Sequence, residues 1–195
     1  MGSGSLQNNM LKDYFFLYLK SNYSDVPVAF YVLLLAVFSV GVIISFMKYG
    51  KKKGFRVFAL VVLIEIIVLM LAATVFLRET DSNVGCNFIP FWSYRMPTKD
   101  LQYSMYMENI MNVLMFIPLG FSLGCAFKNI GWKWMIVVAL SLSVIIEVMQ
   151  YVFKKGFAEV DDVIHNTLGC IIGYGIYMLI RIGYEKVSKR SEAVF

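Results

Sequence analysis

Three carboxylates within four residues, followed by a histidine and an asparagine, open the otherwise apolar stretch EVDDVIHNTLGCIIGYGIYMLI (159–180), and a Glu and a Gln close another, VALSLSVIIEVMQYVF (138–153). Glu147, Asp161, Asp162 and His165 are residue types that donate and accept protons, so they are the candidate catalytic groups of an acid/base reaction. Asp162 and His165, at i and i+3, would also ligate a divalent cation if Glu147 and Asp161 completed the shell. Asn112, Gln150 and Asn166 add amide groups suited to sugars or peptides, and Lys154 and Lys155 are cations for a phosphate. The expected ligand-binding set is therefore Asn112, Glu147, Gln150, Lys155, Asp161, Asp162, His165 and Asn166. The plainer alternatives are helix capping for Asp161 and interhelical hydrogen bonding for the deeper residues.

The elements that must position these groups are membrane spans. The 195-residue chain is 59% hydrophobic and 16% charged, a balance that excludes most soluble domains. Apolar runs at 26–47, 55–77, 132–153 and 163–183 each approach the roughly 20 residues that cross a bilayer as helix, and a fifth at 108–127 is interrupted by polar groups and Pro118. The expected fold is all-α, a polytopic bundle of about five transmembrane helices. Residues 1–9, opening MGSGS, have the composition of a cloning scar or a disordered leader; residues 10–195 form a single transmembrane domain, with 10–23 as a short amphipathic helix at the interface.

Eleven of the 18 basic residues (Lys48, Lys51, Lys52, Lys53, Arg56, Lys128, Lys133, Arg181, Lys186, Lys189, Arg190) fall on one side of this arrangement, which predicts that side as cytoplasmic. The amino terminus is then outside and the carboxyl terminus inside. Asn109, Asn112 and Phe116 in the third span, Ser143, Glu147 and Gln150 in the fourth, and Asp162, His165 or Asn166, and Gly169 in the fifth form polar stripes at helical spacing. All reach the outer third of the bilayer, where an unpaired carboxylate is costly and points to function or to a partner. Glu65, deep in the second span, faces either this cluster or its own packing. Gly120 and Gly124, with Gly169 and Gly173, predict close packing of the third and fifth spans. Cys86, Cys125 and Cys170 match no metal-ligand spacing.

Taken in order, NFIPF (87–91), NVLMFIPLG (112–120), EVMQ (147–150) and VDDVIHNTLGCIIG (160–173) resemble the VanZ-like family of bacterial membrane proteins over about residues 74–175. That family usually carries an Arg and an Asp in the loop before the Asp-Asp pair, where this sequence has Gly156 and Glu159. Lys155 would have to replace the Arg as a less directional charge. The resemblance implies a multi-pass protein of the bacterial cell membrane associated with reduced susceptibility to teicoplanin. The residues add an outward-facing polar pocket that would bind or remodel a membrane lipid, a lipid-linked cell-wall precursor or a lipoglycopeptide. The alternative is an acid/base or metal-assisted enzyme acting on a lipid-linked precursor, and transport is a third reading. No cofactor is expected beyond that divalent cation, and no nucleic acid.

Overall fold

The computed structural model describes Val40, Gly41, Met47 and residues 54–192, so the expected segment 10–23 and most of the first apolar run lie outside the described residues. The described chain is an all-α membrane protein. Four helices are long and apolar enough to cross a bilayer: α1 (Gly54–Phe76), α2 (Lys99–Ala126), α3 (Trp132–Val152) and α4 (Val160 onward, helical to Glu192). Large apolar side chains such as Ile64, Val68, Val148 and Leu179 are exposed on their outer faces, as lipid-facing residues are. The helical Gly41 lies against α1, where an added Cβ would stand 2.9 Å from Val61 Cγ1.

Two helices begin earlier than their hydropathy predicts. α2 starts at Lys99 rather than near 108, because the Thr98 hydroxyl accepts from Leu101 N and ends the loop there. α4 starts at Val160 instead of 163. The two loops at this end also pair with each other, a contact that no hydropathy or spacing pattern in the chain signals. β1 (Gly85–Asn87) runs parallel to β2 (Phe157–Glu159), with Cys86 opposite Ala158. A second clasp joins Asp81 N to Lys154 O at 2.8 Å.

The axis of the molecule is α2 against α4. A Cβ on Gly120 would overlap the carbonyl oxygen of Cys170, one on Gly169 that of Val113, and one on Gly173 that of Ile117. Only glycine permits so close a backbone approach. α3 and the end of α1 close the bundle around Phe116, Leu119, Met135, Ile146 and Cys170, all fully buried. At the opposite end from the strands, Tyr174 Oη donates to Ile130 O at 2.5 Å and Arg181 to Lys128 O at 2.8 Å, fastening α4 to the turn between α2 and α3.

Candidate functional site

At the loop-bearing end, the last turn of α1, the third to fifth turns of α2, the end of α3 and the start of α4 surround a cavity of about 40 Å³. α1 widens to a π-helix over Ala72–Phe76, which frees late carbonyls and delivers Arg78 to the cavity wall. Glu108, Asn112 and Met115, spaced i, i+4, i+7, form the wall from α2; Ile146, Glu147 and Gln150 that from α3; Asp162 and Asn166 that from α4.

The polar groups are held by neighbours that use only part of their bonding capacity. Glu147 Oε2 accepts from Glu159 N at 3.0 Å, tying α3 to β2. Gln150 Nε2 donates to Thr74 O at 3.2 Å, and because a carbonyl can only accept, the amide oxygen is the atom left facing the cavity. Asn166 Nδ2 meets Ser143 Oγ at 2.9 Å. Asn112 Nδ2, Gln150 Oε1 and Asn166 Oδ1 are buried and have no hydrogen-bond partner among the described residues. Native interiors rarely leave such atoms unmatched, and each costs about 1–3 kcal/mol of desolvation when it is.

Three carboxyls, Glu108, Glu147 and Asp162, share this wall with one guanidinium, Arg78. Among the described residues the ion pair within 4.0 Å is Arg181–Glu185, at the far end of α4, so Arg78 stands across space from the acids instead of clasping one. Just outside, in β2, burial together with the nearby Glu108 and Asp161 raises the Glu159 carboxyl from 4.5 to about 7.

Asp161, next in the chain to Asp162, is turned to a different task. Its Oδ1 accepts from Phe91 N at 2.5 Å, and its Oδ2 from Ser93 N at 2.9 Å and Ser93 Oγ at 2.7 Å. Asn109 Nδ2 extends the network to Ser93 Oγ at 2.9 Å. Phe91 holds φ 60° to aim its amide at this carboxylate, a left-handed conformation unusual for a bulky residue and sustained here by the bonds it permits. His165 completes the anchor. Its Nδ1 lies 2.6 Å from Asp161 O, which fixes the proton on that nitrogen, and its Nε2 lies 2.8 Å from Tyr94 Oη. An apolar groove of about 520 Å³ opens on this side, with Tyr94, Tyr106, Asn109 and His165 at its polar edge and Val113, Leu114 and Leu168 below.

Of the residues expected to converge, the structure brings Asn112, Glu147, Gln150, Asp162 and Asn166 to one cavity. Asp161 and His165 lie in the loop anchor instead, so the four groups expected to ligate a cation do not meet. Asp161 spends its oxygens on loop amides and not on its own helix end. Lys155 Nζ donates to the Arg78 carbonyl and does not line the cavity. The guanidinium that does is Arg78, which occupies the space beside Gly156: a Cβ there would stand 3.4 Å from Arg78 Nη2. Asn109, expected on the same stripe as Asn112, faces the loop. Arg78 and Glu108 were missed; the i, i+4 spacing of Glu108 and Asn112 was the available signal for the second. Glu65 is not in the cavity wall, and its Oε1 is buried without a partner among the described residues.

A family model described as VanZ/LLP1 matches residues 55–181. A curated relative, Protein VanZ of Enterococcus faecium, is 39% identical over 74 residues, which cover 38% of this chain and 46% of that relative. The match thus spans about half of the relative's length. No solved structure matches.

Proposed function

The chain belongs to the VanZ/LLP1 family, and from that premise we propose that it lowers susceptibility to teicoplanin and other lipoglycopeptides by binding a lipid-linked envelope ligand. It does so as a multi-pass protein of the bacterial cell membrane. The observation that carries this reading is the trio of buried, unmatched amide atoms on Asn112, Gln150 and Asn166, gathered with Glu147 and Asp162 around one cavity. Packing alone gives no reason to bury such groups unsatisfied; water fits the space and can meet them, and a ligand end group that supplies the same bonds would take its place. The cavity's volume of about 40 Å³ admits a small polar end group and not a sugar ring, so the body of the ligand stays in the surrounding lipid. The basic loop after the first span and the basic carboxyl-terminal tail favour an orientation with the cavity on the outer side.

The test is teicoplanin and vancomycin susceptibility of a Gram-positive host producing wild type, Glu147→Gln or Asp162→Asn at matched membrane levels. Wild type is expected to protect selectively against teicoplanin and both variants to fall to the level of the empty host. Variants that protect as wild type does would remove the cavity from the function. Variants that disappear from the membrane would assign the cluster to interhelical bonding.

A second reading draws support from the three carboxyls in one wall. Acid/base catalysis on a lipid-linked precursor needs a proton donor and acceptor in reach of one another, and Glu108, Glu147 and Asp162 supply candidates. It predicts a changed envelope-lipid profile in cells producing wild type and an unchanged one with Glu147→Gln.

A further inference from the structure

Resting on the reading of this cavity as a ligand site, we propose that the end group it takes is a primary ammonium, carried by a ligand whose own anionic group lies against Arg78. Gln150 Oε1 has its orientation fixed by the Thr74 carbonyl, and it and Asn166 Oδ1 are acceptors lacking donors, on side chains only 5% and 2% exposed. Glu108, Glu147 and Asp162 add acceptors with negative charge, and no bond from another protein group to the side chains of Glu108 or Asp162 occupies them among the described residues. If all four charged lining groups were ionised, one guanidinium would face three carboxylates, an excess that a wall at membrane depth does not carry uncompensated. A positively charged group with several donors answers both of these deficits at once, and the unmatched donor of the same wall, Asn112 Nδ2, calls for an acceptor, which the ligand's anionic group would supply.

Competing cations fit worse. A quaternary ammonium has no N–H to give and is held by aromatic rings, whereas no aromatic residue among the described ones lines the cavity. A metal ion needs its ligands gathered at bonding distance, and no group of three His, Cys, Asp or Glu able to hold one occurs among the described residues. An –NH₃⁺ has three donors, matches acceptors spread over three helices, and suits about 40 Å³. Arg78, with no carboxylate within 4.0 Å among the described residues, then faces an anion one short linker away. The shared chemistry is that of a zwitterion with a primary amine, as in an ethanolamine phosphate headgroup or its free counterpart.

The experiment uses the purified full chain in phosphatidylglycerol nanodiscs, titrated with phosphatidylethanolamine or phosphatidylcholine and read by native mass spectrometry. Binding of the primary amine is expected to be about 100-fold tighter than that of its trimethylated analogue, because a site built to accept N–H bonds rejects a group lacking them. Glu147→Gln and Asp162→Asn are expected to weaken it about tenfold each. Displacement by O-phosphoethanolamine would assign the source to a free zwitterion, and its failure to displace would assign it to a lipid headgroup; either supports the ammonium. Equal binding of the two lipids, or binding of neither, overturns the proposal, and that contrast needs only the wild type should a variant not fold. Selective binding without teicoplanin protection would reject the resistance reading and leave this one; protection without selectivity would do the reverse.

Discussion

Asp161 and Asp162 are the same residue type, consecutive in the chain, and they face opposite fates. Asp161 is 1% exposed and accepts three hydrogen bonds from Phe91 and Ser93, which engage both of its oxygens and hold the loop 77–98 onto α4. Asp162 turns about 100° away around the helix, into a wall where amide atoms are unmatched and where, among the described residues, no protein donor reaches it. His165 and Asn166 repeat the contrast one turn deeper: the histidine has both ring nitrogens engaged, the asparagine only its nitrogen. One side of α4 is thus a closed structural joint and the other an open one. Polar residues inside a membrane protein are therefore not one class. Counting their satisfied bonds separates those that hold the fold from those left for a ligand.

The contrast breaks if the two sides respond alike to mutation. The largest effect is expected for Asp161→Ala, which leaves the buried Ser93 amide and hydroxyl and the part-buried Phe91 amide without an acceptor. Stability should fall by about 3 kcal/mol or more, read by thermal unfolding in micelles and by new proteolysis in the loop 77–98. An unchanged melting curve would dissolve the distinction. Next is the seam on which both sides depend. Gly173→Ala forces a methyl onto the Ile117 carbonyl and is expected to cost about 2 kcal/mol, visible in the same melt.

Tyr94→Phe sharpens the comparison from the closed side. It removes the partner of His165 Nε2 and should cost about 1 kcal/mol, without changing ligand binding in the cavity. Glu159→Gln tests the boundary between the sides. With its folded-state value raised to about 7 from 4.5, Glu159 keeps its proton in the folded protein over a range where the unfolded chain has released it. Its contribution therefore favours the folded state at low pH, is lost progressively from about 4.5 to about 7, and is level above that. The Gln variant should melt higher than wild type at pH 8, by about 1 kcal/mol after allowance for solvent screening, and the gap should close near pH 4. A gap independent of pH would show that Glu159 does not titrate there. The smallest effect on stability belongs to Asp162→Asn, expected within about 0.5 kcal/mol, because no protein donor among the described residues depends on that carboxylate.

Much of the fold is legible in the chain because lipid imposes one-dimensional rules. A run of about 20 apolar residues must be helical to satisfy its own backbone, and four such helices stand where hydropathy sets them, although α2 reaches back to Lys99, well before its apolar run begins near 108. The Gly120 and Gly169 spacings announce a close seam by the same economy, since a missing Cβ matters only where backbones meet. The i, i+3 and i, i+4 intervals likewise set Glu147 beside Gln150 and Asp162 beside Asn166. Periodicity says which residues share a helix face, and those intervals survive folding unchanged.

Which face meets which neighbour is another matter. Periodicity on α4 leaves Asp161 and Asp162 equivalent, and α2 alone cannot tell Asn109 from Asn112; the packing rotation about the glycine seam decides both. The pairing of β1 with β2 draws the loop carrying Phe91 and Ser93 over Asp161, and the widened end of α1 brings Arg78 into the place beside Gly156. These contacts join residues about 70 positions apart. By itself the amino-acid order determined a membrane bundle, its helical faces and a polar end. Only the tertiary structure decided which polar groups find partners and which remain open, because hydrogen-bond satisfaction belongs to pairs of groups in space and not to positions in a chain.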